Sequence, residues 1–468
     1  MPPPDLALAP DAPAVTAPDA KAPDAKPPRS ARRGRGGVVR STPRIDVVTI
    51  LTIFVVLMIC IPSRLVVSAL GGAGTPATIL GLVCLAWWAY ARLVPGTGLA
   101  KGYQPIRIVV CVYAFVAVLT YIVALTTRFV TYEELNNADR ALIGLASFAG
   151  IVLIGADGIL RYDRLEVLLR RLVLLTAVLA FFGLVQFFTN FDIAAYIRIP
   201  GLVANAGLAD EIRTGFRRIA VTASHPIEYG VFLAMVWPVG IHFALSAITT
   251  KARQQWWAAV GLISVALAMS LSRSAIMGIA AATIVIAIPW TWRRRINALA
   301  LLTLFMGAMR VMVPGLVGTL RGLFTHLTQD TSYQAREIRL PVAFRFVHER
   351  PFLGWGYGTL IPDQKYKLVP MDNQLLKSTI ETGLIGLAAL LLLFIIGFGT
   401  ARGARRRAVE PTTRDLAQAL AASIVAGSIA FYTFDALYYP MVTGILSLML
   451  AVIGALWRLT REDPYVCS

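Results

Sequence analysis

The stretch LLKSTIETGLIGLAALLLLFIIGFGT, residues 375–400, decides the fold, because after Glu381 it carries no charged side chain. The hydrocarbon layer of a bilayer is roughly 30 Å thick and takes about 20 apolar residues of helix to cross. No water is present there to satisfy backbone N–H and C=O groups, so a crossing segment of this kind must be helical. Comparable runs precede it at 46–62, 75–91, 108–126, 141–160, 167–188, 227–248, 256–271, 275–290 and 298–316, and follow it at 416–437 and 440–457. The expected fold is all-α, a polytopic membrane protein of about twelve transmembrane helices. Composition points the same way. The 468 residues are 57% hydrophobic and only 15% charged, with a mean hydropathy of +0.67, more apolar matter than a soluble core and its surface can use. A soluble enzyme is excluded. Between the last two runs only a tight turn remains, holding Asp435, Tyr438, Tyr439 and Pro440.

Lysine and arginine fall in alternate connections: Arg92, Lys101 and Arg107; Arg161, Arg164, Arg170 and Arg171; Lys251 and Arg253; Arg293 to Arg295; and Arg402 with Arg405 to Arg407. Basic residues are retained on the cytoplasmic side, so both termini are expected there. The net charge of +18 then reads as a topology signal and a contact with anionic lipid rather than a nucleic-acid footprint. Residues 1–44 are rich in Pro and Ala, repeat Ala-Pro-Asp-Ala-Lys at 17–21 and 22–26, and cannot build a core. They are expected to form a disordered basic cytoplasmic tail ahead of a membrane domain at 45–458, with a second cytoplasmic tail at 459–468. No cleavable signal peptide is expected, since the first apolar run follows a long tail and lacks a small-residue cleavage site. Cys60, Cys84 and Cys111 lie in apolar runs and Cys467 in the tail, while His225, His242, His326 and His348 are not spaced as ligands. Neither a disulfide nor a metal framework is expected, and no cofactor is implied.

On the non-cytoplasmic side two connections are too long for turns, about 189–226 and 317–374, the larger expected to contain short helices. Long connections between spans usually carry function. The smaller holds Arg198, Arg213, Arg217 and Arg218. In the larger, Arg321, Arg336, Arg339, Arg345, Arg350, Lys365 and Lys367, with Lys377 just beyond it, outnumber the acids Asp330, Glu337, Glu349, Asp363 and Asp372. Positive charge here runs against the topology bias. Anion binding would account for it, since guanidinium forks match phosphate oxygens bidentately. Contact with lipid headgroups or pairing with the nearby acids is the plainer alternative, weighing most for Arg345, Arg350 and the lysines.

Gly215-Phe216-Arg217-Arg218-Ile219-Ala220, followed by Ser224-His225-Pro226 and a span, resembles the arginine segment before a central helix in the O-antigen ligase and polymerase-like superfamily. Ser270-Leu271-Ser272-Arg273-Ser274-Ala275 resembles that family's Ser-x-Ser-Arg junction. The large loop is similar in order, with Arg336, Leu340, Ala343, Phe346, Pro351, Gly354, Gly356, then Asp372-Asn373-Gln374-Leu375-Leu376 and Glu381-x-Gly383-Leu384-Ile385-Gly386. The likeness covers roughly residues 200–400. One departure stands out: lipopolysaccharide ligases of the family usually show a His-Asn pair where this chain has Asp372-Asn373, which is closer to polymerase or exopolysaccharide members.

The resemblance implies a GT-C-like integral-membrane glycosyltransferase taking a glycan from a polyprenyl-pyrophosphate donor at the outer leaflet and passing it to a hydroxyl of a carbohydrate or glycolipid acceptor. A departing pyrophosphate gathers negative charge that preorganised guanidinium groups stabilise without a metal. Arg217, Arg336 and Arg273 are the catalytic candidates for this role, with Arg218 and Arg339 binding substrate. Asp372 is the expected base for the acceptor hydroxyl and Asn373 its orienting neighbour; His348, His225 and His326 are reserves. Plainer readings make Asp372 and Asn373 a helix cap, Arg273 a helix start and Glu381 a charge favoured by a helix N-terminus. A transporter or a non-catalytic export partner is the rival class, disfavoured by the scarcity of charge inside the runs.

Overall fold

A computed structural model describes residues 46–94, 99–207, 212–213, 215–325, 331–361 and 372–462. The expected tail at 1–44 lies outside the described residues. The helices are α1 (Val47–Cys60), α2 (Pro76–Leu93), α3 (Pro105–Thr127), α4 (Tyr132–Gly158), α5 (Tyr162–Thr189), α6 (Ile193–Tyr196), α7 (Pro226–Ser246), α8 (Thr250–Met269), α9 (Arg273–Ala287), α10 (Trp292–Met312), α11 (Leu316–Thr325), α12 (Thr331–Glu349), α13 (Gln374–Arg407), α14 (Pro411–Thr433) and α15 (Pro440–Glu462). Two-residue strands make two small antiparallel pairs, β1 (Leu65–Val66) with β2 (Val203–Ala204) and β3 (Ile212–Arg213) with β4 (Phe216–Arg217).

Every apolar run coincides with a helix. Among the described residues, 9 helices are long and apolar enough to cross a membrane. The other three runs are α1 and α9, apolar but only 14 and 15 residues long, and α8, which carries Lys251 and Arg253 in its first turn. Helix starts follow local chemistry. Asp46, Thr75, Thr249, Ser272 and Asn373 cap through their side chains, Thr131 forms a capping box with Glu134, and proline opens α2, α3, α7 and α14. α15 continues into the segment expected to be a tail.

Packing relies on small residues, as between helices that share an apolar solvent. A side chain at Gly150 of α4 would run into the Gly81 carbonyl and Leu85 of α2. At one end of the bundle Asp157, almost fully buried, accepts from Trp88 Nε1 at 2.9 Å and Arg107 Nη1 at 3.1 Å and pairs with Arg92, tying α2, α3 and α4. Arg164 reaches Asp46 at 2.8 Å and Arg458 reaches the Ile159 carbonyl at the same end.

The opposite end is irregular. α13 is broken at Gly383, whose φ of 66° and ψ of −169° belong to a region only glycine occupies comfortably. The loop 351–358 docks into the break. Leu384 N donates to Pro351 O at 2.8 Å, Trp355 N to Ile380 O at 2.9 Å and Gly356 N to Glu381 O at 2.7 Å, so backbone groups freed by the break find partners. Gly383→Ala is expected to destabilise the protein by about 1–3 kcal/mol from backbone strain alone, with more from collision with the Phe352 carbonyl. Thermal unfolding in detergent checks this, and an unchanged melting temperature would show that the break tolerates a side chain.

Candidate active site

Among the described residues four non-glycine residues with left-handed backbone mark the irregular end: Asn190 (φ 58°), which ends α5, Val221 (φ 54°), Leu271 (φ 49°) and Asp372 (φ 46°). Such conformations persist only where the surroundings fix them, and they gather at functional sites. Each adjoins or contacts a residue singled out from the sequence.

Val221 lies between Arg218 and His225. Gln186 of α5 accepts the Ala220 and Val221 amides through Oε1 at 3.2 and 3.0 Å, Thr222 Oγ1 donates to Ile59 O at 2.7 Å, and Thr222 O accepts Ser63 N at 2.8 Å. The segment is thereby fixed between α1 and α5. Arg218 is buried and its Nε donates to Ser270 O at 3.2 Å. Arg217, next to it on β4, turns elsewhere and donates to Asn190 O at 3.1 Å. His225 caps α7 by accepting the Ile227 amide on Nδ1 at 3.1 Å, so its neutral ring carries its proton on Nε2. Glu228, fully buried, accepts from Ser224 N and Ser224 Oγ, each at 2.7 Å, and from Met441 N at 2.7 Å, binding this segment to the start of α15.

Leu271 sits at the junction of α8 and α9. Ser272 caps α9 and Arg273 is its first residue. Asp372 precedes α13. The cap of α13 is Asn373, whose Oδ1 accepts Leu376 N at 3.1 Å. Asp435 Oδ1 accepts Asn373 N at 3.1 Å, Phe434 O accepts Gln374 N at 3.2 Å, and Gln374 Oε1 accepts Leu437 N at 3.0 Å. The turn after α14 therefore fixes the backbone beside Asp372.

These segments surround one cavity of about 1390 Å³. Arg218, Arg273 and His225 line it, as do Asp372, Asp435, Lys377 and Glu381. So do Tyr113, Tyr357 and Tyr432 with Tyr438 and Tyr439, and an apolar part includes Phe54, Met58, Phe148, Leu390 and Leu393. Tyr439 stands 5.9 Å from the His225 ring. Burial, reinforced by the charges of Glu228, Asp435 and Asp372, pushes its phenol up, so it remains a hydrogen-bond donor. Burial likewise raises the Tyr357 phenol, and the Glu381 charge adds to it.

Of the residues singled out beforehand, Arg218, Arg273, His225 and Asp372 meet in the cavity. Arg217 and Asn373 do not line it. His348 lies exposed on α12, where its neighbours Arg345 and Glu349 pair at 3.2 Å. Arg350 donates to Thr127 Oγ1 at 3.0 Å and lies over the Trp355 ring. His326 and the side chains of Arg336 and Arg339 lie outside the described residues. Sequence reasoning missed Arg140 of α4, which also lines the cavity. Its only signal was a charge placed just ahead of an apolar run.

A family model described as O-antigen ligase matches residues 258–391. No curated protein matches the chain. The matched segment holds Arg273, Asp372, Lys377 and Glu381, and it bears out the resemblance to the O-antigen ligase and polymerase-like superfamily. The chain is a polytopic all-α membrane protein, and its segment 258–391 is similar to the O-antigen ligase family.

Proposed function

We propose, with that O-antigen ligase segment as premise, that the cavity transfers or polymerises glycan from a polyprenyl-pyrophosphate donor onto a carbohydrate hydroxyl at the outer face of the cytoplasmic membrane. The observation that carries the reading is the meeting of two chemistries in one cavity: buried and helix-terminal arginines, Arg218 and Arg273, with the carboxylate of Asp372. Guanidinium groups suit the charge that develops on a departing pyrophosphate and need no metal to do so. In the displacement Asp372 takes the proton of the acceptor hydroxyl, the hydroxyl oxygen bonds to the anomeric carbon, and the bond to the pyrophosphate oxygen breaks with its electron pair leaving on the polyprenyl pyrophosphate. One displacement without a protein nucleophile inverts the anomeric centre. The aspartate in place of the ligase-type histidine favours polymerisation over lipid A core ligation. The remaining catalytic and donor-binding candidates, Arg217, Arg336 and Arg339, belong to this proposal as contacts for the rest of the lipid-linked donor.

The deciding experiment is incubation of the purified protein with a polyprenyl-pyrophosphate oligosaccharide, with and without a second acceptor, followed by mass analysis of the glycan. Longer glycans from donor alone support polymerisation, and a product found only with the second acceptor supports ligation. Unchanged donor in both arms refutes transfer. Transport is the second reading, since α13 is discontinuous beside a deep cavity. The break, however, lies near one end of α13 rather than halfway along it, where transporters place their sites.

The proposed orientation has its own check. Single cysteines introduced beside Arg217 and Asp372 are expected to react with a membrane-impermeant thiol reagent in whole cells, and one beside Arg406 to stay unlabelled. The reverse pattern overturns the orientation.

A further inference from the structure

The mechanism above leaves a buried carboxyl group of the cavity without a task. Glu381 is 4% exposed and lines the cavity wall formed by α13. Its carboxylate accepts the backbone amides of Gly358 and Leu360, yet Oε1 is buried and meets no hydrogen-bond donor among the described residues. A buried carboxylate oxygen left without a donor is costly and calls for a partner. Glu228, by contrast, has both oxygens occupied. The surroundings of Glu381 favour a carbohydrate as that partner. Tyr357 and Tyr113, hydrogen-bonded to each other, stand beside it, and aromatic faces with polar tips suit a ligand that is apolar on its ring faces and rich in hydroxyls at its edge. Glu381 lies two turns into α13, about 10 Å beyond its start by helical rise. A single hydroxyl cannot therefore reach both Glu381 and Asp372, and the ligand must extend along the wall between them.

We infer that Glu381 binds the acceptor glycan, Oε1 accepting a hydrogen bond from a sugar hydroxyl remote from the one that Asp372 deprotonates. This rests on the glycan-transfer reading of the cavity. Glu381 contributes binding and placement, while Asp372 contributes proton removal.

The probe is the free repeat-unit oligosaccharide, released by mild acid from the lipid-linked glycan of the cell that makes the chain. Glu381→Gln removes the charge at nearly unchanged size and turns one of the two acceptor oxygens into an NH2 donor. Affinity for the oligosaccharide is expected to fall about tenfold or more. Binding of the lipid-linked donor should stay within about twofold. Unchanged oligosaccharide affinity in a folded Glu381→Gln protein overturns the inference, and a lowered melting temperature with no affinity change assigns Glu381 to the loop alone. A measurement on the wild-type chain removes dependence on the variant's folding. A hydrophobic carbodiimide that modifies buried carboxyl groups is applied with and without the oligosaccharide, and peptide mass mapping separates Glu381 from Glu228. Protection at Glu381 but not at Glu228 supports the inference, and equal labelling with and without sugar overturns it. If wild-type protein transfers glycan while Glu381 fails these tests, only the inference falls. If it neither consumes donor nor binds the oligosaccharide, both readings fall.

Discussion

Asp372→Asn is expected to yield a protein that inserts, melts and binds lipid-linked donor like the wild type but turns over about 10²- to 10⁴-fold more slowly, the usual worth of a positioned general base. Two features make the substitution discriminating. Asparagine accepts left-handed backbone at least as readily as aspartate, so the conformation at φ 46° is preserved. The cap of α13 is supplied by Asn373, so a loss of activity cannot be assigned to a lost cap. What the change removes is the capacity to take a proton. Steady-state turnover beside thermal unfolding and donor binding gives the answer, and near-normal turnover by the folded variant removes Asp372 as the base. His348 is then a poor substitute, being exposed on α12. Neutral His225 presents Nε2–H rather than a lone pair to any ligand on that side.

Arg273→Ala is expected to lower the turnover number by about 10²- to 10³-fold, roughly 3–4 kcal/mol, by analogy with the removal of one preorganised donor from an oxyanion site. Arg273 opens α9, so the partial positive charge of the helix N-terminus adds to its own in favouring a phosphate there. Lysine at this position should restore only part of the rate, because a point charge cannot replace a planar two-pronged donor. Chelation by EDTA should leave the wild-type rate unchanged. Full activity of Arg273→Ala, or activity abolished by EDTA and restored by magnesium, contradicts an arginine-held leaving group.

Helix positions were legible because every crossing segment must satisfy its own backbone. What each helix touches was not. The most apolar window of α10 is only 6% buried while that of α15 is 89% buried, yet both read as spans, since lipid tails are as apolar as leucine and hydropathy cannot tell lipid from core. The two neighbouring arginines were read as a pair. Arg217 belongs to a short strand, where successive side chains face opposite ways, and Arg218 alone reaches the cavity. Asp372 and Asn373 were likewise read together. The turn after α14 fixes the first in a left-handed conformation and leaves the second to cap, a division set by contacts some 60 residues away in sequence. Glu381 looked like a charge at a helix start because the break at Gly383 and the loop that fills it come from a distant segment. Local pattern carried the scaffold and the residue types of the site, and non-local backbone contacts decided which of them face one another.

The turn at 434–441 sets a limit on what a chimera can borrow. The family match ends at residue 391, but the carbonyl of Phe434, the carboxylate of Asp435 and the amide of Met441 lie beyond it, and Arg218 and His225 lie before it. A graft of 258–391 into a related chain would import Asp372 without the turn that holds the backbone beside it. The smallest transplantable unit is therefore the chain from the arginine segment through the start of α15, and specificity should travel between relatives as that whole block.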